Sequence, residues 1–105
     1  MKKNSALLRR LGLAMGEHVA RTPGASHRFE SDSWTECQAV AKATGEQLKR
    51  RGFTRVVKEA SIDLDTGKQV PARWYTKPAR HEDEDDREVV VELSTQHVFV
   101  HHQWS

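Results

Sequence analysis

Residues 33–64 read SWTECQAVAKATGEQLKRRGFTRVVKEASIDL, and within them the apolar period changes from helical to extended. Ser33, Trp34, Thr35 and Glu36 spell S-x-x-E, a capping box in which the serine side chain accepts from the backbone of Glu36 while the glutamate reaches back. Trp34, Cys37, Val40, Ala41, Thr44 and Leu48 follow at three- and four-residue steps. Lys49, Arg50 and Arg51 fill a last turn where cations complement the helix dipole, and Gly52 is placed to end it. A helix over 34–51 follows, inside a capped segment 33–52.

Beyond Gly52, Val56, Ala60, Ile62 and Leu64 fall on one side of an extended run, with Arg55, Glu59 and Asp63 on the other and Lys58 an exception on the inner side. Asp65, Thr66, Gly67 and Lys68 form a tight loop, and Val70, Ala72 and Trp74 supply a second inward face. Residues 54–77 therefore read as a β-hairpin, whose Pro71 requires an edge strand or a bulge. After a polar loop, Pro78 to Asp86, two β-branched stretches, Glu88 to Leu93 and His97 to Trp104, make a second hairpin around Ser94, Thr95 and Gln96. Upstream, Leu7, Leu8, Leu11, Ala14, Met15, His18 and Val19 form the broad stripe of an amphipathic helix from Ser5 to about residue 20. Thr22, Pro23 and Gly24 stop it. Gly12 and Gly16 lie one turn apart on it, where they permit a close backbone approach or simply lower helix propensity. Residues 23–33 read as a linker, with His27 to Glu30 extended.

The expected architecture is α+β, two N-terminal helices followed by two β-hairpins, with a helix packed on one face of a four-stranded antiparallel sheet. The 105 residues make one small domain: a basic amphipathic helix at 1–22, the capped helix at 33–52 and the hairpins at 53–104. Leu, Ile, Val and Phe number only 21, so Trp34, Trp74 and Trp104 are expected to anchor a thin core. No run approaches the ~18 apolar residues of a membrane span. The single cysteine, Cys37, excludes an intramolecular disulfide and favours a reducing compartment. On the apolar side of its helix it reads as a small inert hydrophobe. The basic first segment faintly resembles a transit peptide, yet Arg9 and Arg10 interrupt any secretory apolar core, and a cytoplasmic protein is the simpler expectation.

Charge is the feature that is not bland. Up to Lys58 the chain carries 12 basic and 5 acidic residues, net +7; after it come 5 basic and 10 acidic, net −5. Such asymmetry points to an interaction tail or to two faces with different partners. Basic residues interleaved with aromatics are the footprint of nucleic-acid binding. The candidates are Arg50, Arg51, Arg55 and Lys58 at the helix-to-strand junction, with Arg73, Tyr75 and Lys77 on the outward face of the next strand. Lys2, Lys3, Arg9 and Arg10 would add a basic arm. The opposite reading takes the run Glu82, Asp83, Glu84, Asp85 and Asp86, which lacks the spaced ligands and glycine of a calcium loop. There a compact acidic surface competes for a partner's phosphate-binding groove, with Asp63 and Asp65 extending it.

His97, His101 and His102, with His81 and the acidic run upstream, suggest a metal site, but strand geometry argues against it. His97 and His101 share a face about 13 Å apart at ~3.3 Å per residue, and His102 points the other way. Phe99, opposite Val98 and Val100, marks a possible contact patch. The serines lack a glycine-rich elbow, and no carboxylate pair is set for acid–base work. The expectation is a non-enzymatic regulatory module, without cofactor or metal, that binds nucleic acid or a nucleoprotein complex. The alternative is a protein-binding inhibitor of phage or plasmid type whose acidic loop fills a basic groove, and a metal-dependent enzyme using the histidines comes third.

Overall fold

A computed structural model describes residues 5–63 and 65–103. Lys2, Lys3, Leu64 and Trp104 lie outside the described residues. The chain runs α1 (Ser5–Arg21), β1 (Ser26–Glu30), α2 (Trp34–Arg50), β2 (Arg55–Lys58), β3 (Ser61–Ile62), β4 (Gln69–Val70), β5 (Ala72–Lys77), β6 (Arg87–Leu93) and β7 (His97–His102). Five strands form one antiparallel sheet in the order β1-β7-β6-β5-β2, and β3 with β4 forms a separate two-stranded ladder. Both helices lie on the same face of the sheet.

The α+β class, the two helices and the antiparallel hairpins are as expected, but the sheet has five strands rather than four. The fifth is β1, where Phe29 is the one buried side chain. His27 to Glu30 are extended as expected, but one buried residue in five gives too little alternation to assign them to the sheet. The first hairpin also differs from a continuous pair of arms. Pro71 has no N–H to give to a ladder, and opposite it Glu59 and Ala60 leave the extended register. The hairpin therefore splits into β2 with β5 and, at its tip, β3 with β4. The tip ladder leans over the helix-free face, where Ser61 Oγ meets Glu92 Oε2 at 3.4 Å and Arg28 approaches Asp65 at 3.8 Å.

α2 has the expected cap, with a relay in place of the reciprocal bond. Ser33 Oγ accepts from Glu36 N at 3.2 Å. The Ser33 N–H is satisfied by Ser31 Oγ at 3.0 Å, and that hydroxyl donates to Glu36 Oε1 at 2.6 Å. At the other end Gly52 takes φ +95°, while Phe53 N and Gly52 N donate to Leu48 O and Lys49 O. This is the Schellman closure, and its left-handed residue favours glycine.

α1 packs on α2 through its glycines. A Cβ on Gly12 would sit 2.6 Å from both Ala43 Cβ and Val40 O, and one on Gly16 would lie 2.8 Å from Thr44 O. Thr44 Oγ1 donates into this seam, 3.0 Å from Gly12 O and 2.9 Å from Val40 O. The stripe of α1 splits accordingly. Leu8, Met15 and Val19 are buried, whereas Leu7, Leu11, Ala14 and His18 are exposed.

The core between helices and sheet is made of Val40, Leu48, Phe53, Val89, Val91, Val98 and Val100, with Cys37, Phe29 and Tyr75. Of the tryptophans expected to anchor it, neither of the two described does so. Trp34 is 43% exposed, and Trp74 is half-buried, its indole N–H donating to Glu59 O at 2.9 Å. In the expected inner row of the first hairpin, Val56 is half-buried while Ala60 and Ile62 are exposed, because the side-chain phase is lost where the ladder breaks.

The histidines divide as strand alternation requires. His102 is 1% exposed on the helix side, where its Nδ1–H donates to Val19 O at 2.7 Å and its ring stands edge-on to Phe53. His27 of β1 meets His18 of α1, Nε2 to Nδ1, at 2.5 Å. Desolvation pushes the pKa of both His102 and His27 below the ordinary imidazole value.

Two predictions follow from this packing. Gly12→Ala adds helix propensity worth ~1 kcal/mol, yet its Cβ meets a backbone carbonyl that cannot rotate away. Net destabilisation of about 1–3 kcal/mol is expected, measured by urea unfolding. Because the folded pKa of His102 and His27 is depressed, their contribution is fully present above the unfolded imidazole value of about 6.5 and is lost as pH falls through the folded values. The melting temperature should drop between about pH 7.5 and pH 5, and His102→Asn, less stable at the start, should flatten that decline.

Candidate nucleic-acid interface

The described cations differ in whether a carboxylate pairs with them. On the α1 side, Arg51 forms an ion pair and hydrogen bonds with Glu17, whose other neighbours are Gln47 at 2.8 Å and Arg21 at 3.5 Å. The Arg51 guanidinium, with Gln47, holds the Glu17 carboxyl below its ordinary pKa. Arg9 likewise pairs with Glu46 at 2.6 Å. Arg51, one of the expected nucleic-acid contacts, is thus a structural tie between α1 and α2.

Beyond α2 the pattern reverses. Between this helix and the strands β2 and β5 runs a groove of about 640 Å³. Gln38, Ala41 and Lys42 form its helical rim, Lys58 and Arg73 stand on the strand rim, and Tyr75, Val91 and Leu93 are among its apolar lining. Lys58 and Arg73 are direct partners in the β2–β5 register. Lys77 and Arg87 are direct partners in β5–β6, on the same side of the sheet. Like charges placed opposite one another destabilise a strand pair. Among the described residues none of Lys42, Lys58, Arg73, Lys77 and Arg87 has a carboxylate within ion-pair distance. Glu59 is the one acid on the groove lining.

The groove collects part of the expected set. Lys58 and Arg73 line it, and Lys77 continues the row toward the end of α2, its side chain against Gly52. Arg50 is exposed in the last turn of α2. Arg55, in register with Thr76, faces the helix-free side. The face carrying Arg73, Tyr75 and Lys77 is the helix side of β5, not the outward side, and Tyr75 is only 3% exposed beneath Gly45. Its ring cannot serve as a stacking surface for a base. Lys42 and Arg87 were missed by sequence reasoning. Lys42 had a signal, since it lies four residues from Gln38 and eight from Trp34 on one stripe of α2.

The acidic run 82–86 is exposed along its whole length in the β5–β6 loop. Within it, Asp86 accepts from Ala79 N at 2.8 Å, and among the described residues none of the five carboxylates forms an ion pair. A second hollow of about 520 Å³ lies on the helix-free face, lined by Asp63, Asp65, Glu92, His97, Phe99 and His101 among others. Phe99 and His101 stack there, with centroids 6.1 Å apart. Burial pushes the Glu92 carboxyl above its ordinary pKa. His97 and His101 share this face and His102 lies on the other. Among the described residues no three His, Cys, Asp or Glu side chains gather to hold a metal. Cys37 is fully buried, burial raising its pKa, with Sγ donating to Ser31 O at 3.7 Å. Among the described residues no helix is long and apolar enough to cross a membrane.

No protein-family model, no curated protein and no solved structure matches this chain.

The two groups of cations should separate experimentally. Arg51→Ala removes a tie between helices and is expected to lower the melting temperature. Lys58→Ala and Arg73→Ala remove exposed charges that repel each other, and each should leave the midpoint unchanged or raise it. A thermal denaturation series of the three variants measures this directly.

Proposed function

We propose that the protein is a non-enzymatic binding module that holds nucleic acid, free or in a nucleoprotein complex, in the groove between α2 and the β2–β5 edge. The observation that carries this reading is the pairing of Lys58 opposite Arg73 with no carboxylate within ion-pair distance among the described residues. Folding gains nothing from such a pair, whereas a phosphate seated between the two would convert repulsion into two charge-assisted hydrogen bonds. Lys42 from the facing helix supplies a third donor, and Lys77 with Arg87 extends the row beyond the groove. Arg50 and Arg55 reinforce the field from the end of α2 and from the edge strand. A basic edge also discourages unwanted strand addition to β2, but that purpose would not call for Lys42.

A second reading has one observation in its favour. Glu82, Asp83, Glu84, Asp85 and Asp86 are exposed and, among the described residues, form no ion pair, which suits an inhibitor that inserts an acidic loop into a basic groove of its target. Charge reversal separates the two. In fluorescence anisotropy with labelled oligonucleotides, Lys58→Glu combined with Arg73→Glu is expected to abolish binding. Asp83→Lys with Asp85→Lys should leave it intact or stronger. Wild-type affinity should fall steeply between about 50 and 200 mM salt, since every neutralised phosphate adds to the slope. Failure to bind any nucleic acid at the lower salt would remove the groove reading in favour of the acidic loop.

A further inference from the structure

Among the described residues Trp34 is the largest apolar side chain that stands exposed. It opens α2, and the cap at Ser33 fixes the helix just before it. With 100° per residue, positions 34, 38, 41, 42 and 45 fall on one stripe of a helix. Gln38, Ala41 and Lys42 of that stripe line the groove, and Gly45 meets Tyr75 on its floor. Trp34 is outside the groove lining itself but stands on the same helical stripe, one turn beyond Gln38. There it keeps 43% of its surface in contact with solvent. Leaving an indole this exposed forfeits burial that a core so short of large aliphatics could use. The helix would cap equally well with a polar residue at this position.

We infer that the groove takes a single strand, with a base stacked on the Trp34 indole and the flanking phosphates held by Lys42, Lys58 and Arg73. This rests on the nucleic-acid reading above and narrows it to one class of substrate. A cationic groove that follows one backbone, with an exposed ring in line with it, is the arrangement by which single strands are held without reading their sequence. The rise of 1.5 Å per residue places the Cα atoms of Trp34 and Lys42 about 12 Å apart along α2, so ring and ammonium meet different nucleotides of one strand. In a duplex the bases are already stacked and paired, and their faces are closed to the indole. Specificity for one base is not expected, because every base offers a face to stack.

The test compares three labelled ligands of equal length, about twelve nucleotides: a thymidine single strand, the same strand without bases, and a duplex. Anisotropy titrations use the full chain and its Trp34→Ala, Trp34→Phe and Lys58→Glu/Arg73→Glu variants. Wild type should prefer the thymidine strand to both other ligands. Trp34→Ala should weaken that complex by about 5- to 150-fold, the equivalent of one stacked base, and leave the abasic complex unchanged. Trp34→Phe should retain most of the affinity. Equal wild-type affinity for intact and abasic strands, or tighter binding of the duplex, overturns the single-strand inference even if Trp34→Ala folds poorly. If Trp34→Ala is silent while Lys58→Glu/Arg73→Glu weakens every complex, stacking is overturned and the groove stands. If wild type binds none of the three, the groove reading itself falls.

Discussion

The seam between the two helices is the contact on which the rest of the structure depends. Gly12 and Gly16 let α1 approach until Thr44 Oγ1 reaches the Gly12 carbonyl at 3.0 Å. No larger side chain fits between them, so both helices can share one face of a narrow five-stranded sheet. A chain with 21 large aliphatic and phenylalanine residues cannot fill the space between elements held far apart. It gains density by drawing backbones together, because interiors are stabilised by close packing as well as by apolar area.

The same economy shapes α2's other side. Gly45 admits the Tyr75 ring against the helix backbone, and Gly52 turns the chain sharply so that Phe53 drops into the core. With α1 and its ion pairs on one flank, α2 is held firmly there, while its opposite flank faces side chains of β2, β5 and β6 across the groove. The groove is thus what remains beside a helix fixed from one direction. Its walls belong to elements that the core holds in place, α2 and β5 above all.

The sequence was legible where a single local interaction decides the outcome. The cap at Ser33, the stop at Gly52, the loop at Asp65–Lys68 and the opposed faces of His101 and His102 each depend on a few neighbouring residues. It was illegible where an element borrows its definition from a distant one. β1 is a strand because β7 offers it an edge, and its own five residues carry one buried side chain. On β5, Trp74 and Tyr75 have comparable claims to the interior, so apolar period could not choose the face. Packing chose Tyr75, because Gly45 leaves room above it and the broken ladder at Pro71 detaches the upstream phase. With the face inverted, Arg73 and Lys77 moved from open surface to the rim of a groove, beside a lysine on α2 that strand reasoning had no means of reaching.

Net charge of +2 describes this molecule poorly, and the way the total is assembled bears on function. Glu17 pairs with Arg51 and Glu46 with Arg9, tying helix to helix, and the Glu46 carboxylate also attracts Lys42 and Arg50 of its own helix. The five acids of 82–86 stand in a loop and neutralise no described cation. Lys58 and Arg73, and again Lys77 and Arg87, face each other across adjacent strands. Fifteen acids were enough to interleave with these cations had stability alone set the arrangement. Repulsion in the exposed Lys58–Arg73 pair is small at physiological salt, so the fold tolerates it. What it does not do is explain why four cations on two neighbouring strand pairs share one side of the sheet with a lysine from the helix above. On the proposal made above, an anion with its charges spaced along a line, such as a repeating phosphate backbone, would account for all five at once.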